Sequence, residues 1–307
     1  MLRILLSSIT VLGGGILGNA LAEELSRDGN EVRLVSSRFP EPRHQSLNIE
    51  RILGDASDGE TLRVALNGAD RLVIAFGGMR PHQAEQSPDE NLQLTIGTLE
   101  AVISSARKAK LRSISYVSSG GAVYGESLNN HKFSEQDEPR PATAYGRAKL
   151  AAEKIMLHAE VNSQTKVQIF RVSNIFGDGD VRDPTFGFIE HAISAWRKGS
   201  EFVIFGDGED QRDFIPVGVA SRQISALLEL DESPSVVNIA RGTSHTLNEV
   251  IKMIEDNTNR SIAVAYRERR ACDLRASRLD NSLLKSLTGF EVPSLQDQLS
   301  DILKKSD

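Results

Sequence analysis

The sequence predicts an α/β protein, a doubly wound parallel sheet with a smaller C-terminal part. Three observations predict it. Apolar strand-like runs alternate with helix-spaced patterns as far as Arg171. A glycine turn, Gly13-Gly14-Gly15-Ile16-Leu17-Gly18, follows the first run and opens a helix. Residues 72–76 are continuously apolar, as a strand buried on both faces requires.

The elements follow in order. Ser8–Leu12 is a short run rich in β-branched residues. Leu17, Leu21 and Leu25 then recur at helical spacing, and Asp28-Gly29-Asn30 supplies the stop. Strands are expected at 32–35 and Ile49–Leu53, and a helix at 58–67 ended by Gly68. After the apolar run at 72–76, a long helix at 89–110 leads into a strand at 114–118. A helix at 144–158 and a strand at 167–171 complete the alternation. Crossover helices between successive strands imply a parallel, doubly wound order. The regularity loosens after about residue 175, where loops such as GDGDVRDP and FGDGEDQRD interrupt it. Residues 1–172 are therefore expected to bind a nucleotide and 173–307 mainly the substrate, with some later segments returning to the first part.

Arg3, the apolar run after it and Ala20-Leu21-Ala22 also read as a secretory leader with its cleavage site. Cleavage there would discard every glycine of the turn and the strand–helix unit the sheet needs, so the turn is the expectation. The formal net charge of −6 gives no reason to expect nucleic acid or an acidic membrane as partner. No later stretch approaches the roughly 20 apolar residues of a membrane span. Cys272 is the one cysteine, which excludes an internal disulfide and suits a reducing, cytoplasmic setting. The six histidines lack ligand spacing, so no metal is expected.

The glycine turn matches G-x-G-x-x-G in the context that gives it meaning, between a strand and a helix. The glycines permit a tight turn and close approach to a pyrophosphate, and the helix N-terminus offers free N–H groups to that anion. This is a Rossmann-type arrangement, and Gly13, Gly15, Ile16, Leu17 and Gly18 are its expected cofactor contacts. An NAD site would place an acid at the end of the second strand to hold the ribose hydroxyls. Here that place reads Val35-Ser36-Ser37-Arg38. Ser36 and Arg38 suit a 2′-phosphate instead, so NADP is expected over NAD. Asp55 and Ala56 after the third strand, and Phe76 and Gly77 after the fourth, complete the cofactor set.

Tyr145-Gly-Arg-Ala-Lys149 carries the chemistry. A spacing of four puts phenol and ammonium on one helix face. A neighbouring ammonium favours the phenolate, so a proton could be exchanged near neutral pH. The motif follows a strand ending in Val117-Ser118-Ser119-Gly120-Gly121-Ala122-Val123-Tyr124-Gly125.

With these motifs in place, the sequence resembles the extended short-chain dehydrogenase/reductase family of nucleotide-sugar epimerases, dehydratases and reductases. The likeness spans almost the whole chain. It includes Asn91 and Thr95 in the long helix, Arg171-Val-Ser-Asn174-Ile-Phe-Gly177, the stretch from Gly206 to Arg212-Asp213-Phe214, Asn238-Ile-Ala and Gly289-Phe290-Glu291. The resemblance implies that Tyr145 is the acid/base and that Lys149 holds the nicotinamide ribose and tunes the tyrosine. It implies that Asn174 and Arg212 contact the sugar nucleotide's diphosphate, with Arg269, among Arg267, Arg269 and Arg270, as a second cation unless that basic run is a solvated face. Phe186, Phe188 and Trp196 could line a base pocket or belong to the core. A homodimer paired through the helices near 89–110 and 144–158 is also implied.

Three positions depart from the family pattern. Leu12 stands where extended members often begin the turn with glycine. The acid after the second strand is missing. Gly120 occupies the place of the catalytic Ser or Thr, and Ala122 that of a second hydroxyl, leaving Ser119, or Ser118 beside it, to take the role. The expected function is NADPH-dependent reduction at C4 of a nucleotide-linked 4-ketohexose. The alternatives are an NAD-dependent 4-epimerase and a catalytically inactive NADP sensor.

Overall fold

A computed structural model describes residues 7–39, 47–161, 165–177, 187–270 and 272–304. The first half runs β1 (Ser8–Leu12), α1 (Ile16–Arg27), β2 (Glu31–Ser36), β3 (Ile49–Leu53), α2 (Gly59–Ala65), β4 (Arg71–Ile74), α3 (Pro81–Gln86), α4 (Pro88–Ala109), β5 (Ser113–Ser119), α5 (Gly120–Val123), α6 (Ala144–Val161) and β6 (Lys166–Val172). The second half runs β7 (Asn174–Phe176), α7 (Phe188–Lys198), β8 (Phe202–Phe205), β9 (Gln211–Pro216), α8 (Val217–Leu228), β10 (Val236–Ile239), β11 (Ser244–Thr246), α9 (Leu247–Thr258), β12 (Val264–Arg267), α10 (Ser282–Thr288) and α11 (Leu295–Lys304).

Seven strands form one sheet in the order β10-β6-β5-β4-β1-β2-β3, every pairing parallel. β1 lies inside it, with Leu12 in register with Val35 on one side and Ile74 on the other. The chain order reverses beside β1, where β4 and not β2 follows on the second side, and a ligand crevice is expected at that point. Side chains of β1 alternate between two cores. Ile9 and Val11 join Leu21 and Leu25 of α1 and Leu227 of α8, and Leu12 joins Leu62 of α2, Leu99 of α4 and Met156 of α6. The apolar first strand is thus a central, two-sided strand.

Local chemistry fixes the boundaries. Asp58 caps α2 by accepting from the Thr61 N–H at 2.7 Å. Gly29, at φ +91°, and Asn30, donating to the Leu25 carbonyl at 3.1 Å, end α1. β4 stops at Ile74, two residues short of the expected strand, because Ala75 and Phe76 turn against Gly13. The long helix begins at Pro88, preceded by the separate short α3.

The chain leaves the sheet after Val172 and returns to it as β10. Outside it, β11-β9-β7 and β12-β8 form two small sheets around a third core of Phe176, Ile193, Ile204, Phe214, Val250 and Leu299.

Candidate active site

The glycine turn is shaped by close approach. Gly13 sits at φ +113°, and a Cβ there would lie 2.9 Å from the backbone of Ala75. A Cβ on Gly18 would lie 1.8 Å from the Gly13 carbonyl, and one on Gly14 2.6 Å from the Ser36 side chain. Gly15 differs, because its Cβ would meet nothing within 4 Å. It caps α1 without a side-chain hydrogen bond, and the first turn holds no acid. The orphan N–H groups and the positive end of the helix dipole therefore face open space. That space is a cavity of about 400 Å³ walled by the glycine turn, Ser36, Ser37, Gly54, Asp55, Ala56, Phe76, Gly77, Thr95 and Thr98. These residues fit a dinucleotide's pyrophosphate and adenosine.

The fit is not uniform across the expected contacts. Gly13, Gly15, Ser36, Asp55, Ala56, Phe76 and Gly77 line the cavity, whereas Ile16, Leu17, Gly18 and Arg38 do not. Leu17 is buried in the α1 core and Ile16 packs beside it. The Ser36 hydroxyl donates to the Arg38 carbonyl at 2.5 Å, and Arg38 itself is exposed. Asp55 accepts from the Ser57 N–H and hydroxyl, both at 2.7 Å, which lowers its pKa.

Past Gly77 lies the dyad. Glu85 of α3 caps α6 by accepting from the Ala144 N–H at 2.5 Å, which seats Tyr145 in the first turn. Lys149, one turn on, is 6% exposed and donates to the Val117 carbonyl at 3.0 Å. A Cβ on Gly77 would lie 2.2 Å from Lys149 Nζ, so only glycine leaves the lysine its path. The ammonium lies 4.8 Å from the Tyr116 ring centroid and 5.9 Å from that of Tyr145.

Loss of water pushes the Tyr145 pKa up to about 12, against a hydrogen bond with Ser119 that pulls it down. Burial lowers Lys149 to about 8, against the Glu153 charge that raises it.

The two serines at the end of β5 divide by side. Ser118 is buried and donates to Glu153 of α6 at 2.5 Å. The same carboxylate takes a fork from Arg171 of β6, with Nε at 3.1 Å and Nη2 at 2.7 Å. Ser119 is left for Tyr145. Gly120 cannot readily carry the missing hydroxyl. A Cβ there would lie 2.6 Å from Leu279 and 3.0 Å from the Arg171 carbonyl.

Asn174 reaches the same place from β7. Its amide donates to the Asp213 carbonyl at 3.1 Å and lies 3.5 Å from where a Gly121 Cβ would stand. Arg212 of β9 makes one hydrogen bond, to the Gln211 carbonyl at 3.0 Å, and lies 3.8 Å from Asp210. Arg269 forks onto both Asp210 oxygens at 2.7 and 2.5 Å. An open depression of about 540 Å³ lies beside it, walled by Gly206, Asp207, Tyr266, Arg267, Glu268, Arg269 and Arg275. Arg270 pairs with Asp273 and covers the Phe205 ring at 4.4 Å. Phe188 packs on Phe202 at 5.2 Å in the third core, with Trp196 at its edge, so both are core rather than pocket. Phe186 lies outside the described residues.

Sequence reasoning missed Glu153, Arg171 as its partner, Asp210 and Glu85. Glu153 had a signal, because it stands four residues beyond Lys149 and so on the same helix face. Among the described residues, no group of three His, Cys, Asp or Glu side chains is placed to share a metal ion, and no helix is long and apolar enough to cross a membrane.

A pyrophosphate cradle, a Ser–Tyr–Lys set and paired arginines together define a class, the nucleotide-sugar enzymes built on a dinucleotide fold. The family model for the NAD dependent epimerase/dehydratase family matches residues 9–240. The chain belongs to that family and is an enzyme of it. A relative from Methanocaldococcus jannaschii, named "Putative UDP-glucose 4-epimerase", is 30% identical over 80% of this chain and 81% of its own. The dTDP-4-dehydro-6-deoxyglucose reductase of Escherichia coli is 26% identical over 62% of this chain and 60% of its own. The solved structure of MoeE5 in complex with UDP-glucose and NAD superposes with a TM-score of 0.86 at 28% identity, covering 97% of this chain and 98% of that one.

Proposed function

We propose that the protein is an NADPH-dependent reductase acting at C4 of a nucleotide-diphosphate 4-ketohexose, a 6-deoxy sugar among the candidates. The observation that carries this reading is the placement of the Tyr145 phenol, hydrogen-bonded to Ser119 with the Lys149 ammonium 5.9 Å from its ring. A phenol so placed suits proton delivery, and reduction of a ketone needs one proton at oxygen for each hydride at carbon. The missing carboxylate at the end of β2 supports NADPH as the hydride source, with Ser36 of the cavity wall beside its 2′-phosphate and the exposed Arg38, two residues on and outside the wall, swinging in to meet it.

The residues then take these roles. The glycine turn and the N-terminus of α1 hold the pyrophosphate, and Asp55 and Ala56 border the adenosine. The bound nicotinamide supplies the hydride. Asn174 and Arg212 hold the substrate's diphosphate, a guanidinium fork matching phosphate oxygens. Ser119 orients the C4 carbonyl against Tyr145. Tyr145 gives its proton to the oxygen as the alkoxide forms, and the Lys149 ammonium supports the phenolate left behind.

The second reading is a 4-epimerase, favoured by the 30%-identical relative and by the SSGGAVYG strand end. Titration of nicotinamide fluorescence separates the two. Exchangeable NADPH bound at least roughly tenfold tighter than NADH, with net oxidation on adding an NDP-4-keto-6-deoxyhexose, is expected; a tenfold ratio is about 1.4 kcal/mol. Tightly retained NAD, with interconversion of UDP-hexoses and no net oxidation, would overturn the reductase. The homodimer belongs to the same reading. α4 and α6 pack on each other, and the pairing would run through their outer faces. Sedimentation at twice the chain mass is expected, and a monomer at micromolar concentration rejects that pairing.

A further inference from the structure

We propose that Asp210 is a positioning residue for the substrate's diphosphate, a buried carboxylate that holds Arg212 and Arg269 side by side as one two-armed anion clamp. The inference rests on the reading of the site above.

Asp210 is 1% exposed, in the turn between β8 and β9. Its carbonyl accepts from the Leu247 N–H at 3.1 Å, which fixes the backbone at the start of α9. Both carboxylate oxygens are taken by the Arg269 fork, and Arg212 Nη2 stands 3.8 Å away. The two guanidinium groups belong to separate elements and would repel each other in a poorly hydrated place. One buried negative charge between them offsets that repulsion, and Asp207 stands 3.8 Å from Arg269 as a second carboxylate. Gly206 completes the fit. At φ +97°, it would bring a Cβ to 3.3 Å from Arg269 Nη2, so the guanidinium lies over a turn that only glycine leaves open.

Arg212 is the arm left with free donors. Arg212 makes one hydrogen bond among the described residues, to the Gln211 carbonyl, and its burial lowers its pKa by penalising the charge. A diphosphate supplies the missing acceptors. A carboxylate near a phosphate site could instead compete with the ligand. Here it is 1% exposed and both its oxygens are taken by Arg269, so they are not turned toward a ligand. Ordering long side chains costs about 0.5–1.5 kcal/mol each on binding, and a clamp held in advance has already met that cost.

The test is calorimetric titration of the full-length chain with UDP, dTDP and GDP, then of Asp210→Asn with the tightest of them and with its parent nucleoside. The variant is expected to bind the diphosphate at least roughly tenfold more weakly, about 1.4 kcal/mol. Its affinity for the nucleoside and for NADPH should stay within about twofold, a few tenths of a kcal/mol on the same scale. Unchanged or tighter diphosphate binding overturns the proposal, because the carboxylate would then be a spectator or a competitor. Equal losses for diphosphate and nucleoside overturn it too, since a purely structural residue acts on both. If Asp210→Asn fails to fold, Arg269→Lys keeps the charge and breaks the fork. It is expected to show the same split between diphosphate and nucleoside, and its absence counts against the clamp. A wild-type chain that binds none of the three diphosphates overturns the reading of the site itself, and this inference with it.

Discussion

Tyr145→Phe is expected to lower kcat by roughly 10²- to 10⁴-fold, the usual range for a positioned general acid, while leaving NADPH binding intact. The substitution removes one oxygen, and that oxygen's noted partner is Ser119. The ring keeps its place in the first turn of α6, capped by Glu85, so the fold should be untouched and melting unchanged or slightly raised. The pH profile adds a second check. Burial pushes Tyr145 up to about 12, so it is expected to stay protonated across the working range and give no acid limb. Burial brings Lys149 down to about 8, so its charge is expected below that and lost above it. The groups facing this ammonium are the rings of Tyr116 and Tyr145, the Val117 carbonyl and the Glu153 carboxylate. The reductive rate should therefore hold flat to about pH 8 and decline beyond it. A Tyr145→Phe enzyme within threefold of wild-type kcat would remove the phenol from the mechanism. Flat activity through pH 10 would remove the ammonium.

What could be read from the sequence was whatever depends on period and spacing. The run Ser8–Leu12, the helix-spaced leucines after it and the glycines between them placed β1, the turn and α1 correctly, because a two-period, a 3.6-period and a tight turn each leave a local mark. The apolar run after Asp70 marked a central strand for the same reason, though not where it ended. What depends on three-dimensional neighbours left no such mark. Spacing put Lys149 on the face of Tyr145 but said nothing of the burial that raises the Tyr145 pKa. Alternation along β5 separates Ser118 from Ser119, yet which of them meets Tyr145 follows from how α6 crosses the strand. Arg269 reads in sequence as a diphosphate contact or part of a solvated face, with no sign of Asp210, because that partner lies 59 positions away in the chain. Phe188 and Trp196 were open between pocket and core until the third core was assembled around them.

Glu153→Ala is expected to destabilise the protein by about 3–5 kcal/mol, the usual cost of breaking a buried ion pair on one side. Arg171 and Glu153 are 6% and 1% exposed at their side chains, and the carboxylate serves three donors, Ser118, Arg171 Nε and Arg171 Nη2. Removing it leaves a guanidinium buried without its counter-charge, stacked on the Tyr124 ring at 4.7 Å. Removing both charges should behave differently. A well-packed apolar pair in place of a buried ion pair is often neutral in stability, so Glu153→Leu with Arg171→Met is expected to recover most of the loss. Chemical unfolding of the two variants measures both effects. A single variant within about 1 kcal/mol of wild type, below the usual cost of stranding a buried charge, would mean that the pair is hydrated in solution. Recovery of stability should not bring full recovery of turnover. Glu153 ties α6, which carries Tyr145 and Lys149, to the end of β5, which carries Ser119, and an apolar pair fills the space without that tie. Small displacements of reacting groups are costly, so kcat of the double variant is expected to stay roughly ten- to a hundredfold down. Full turnover in a refolded double variant would show that backbone packing alone holds the dyad.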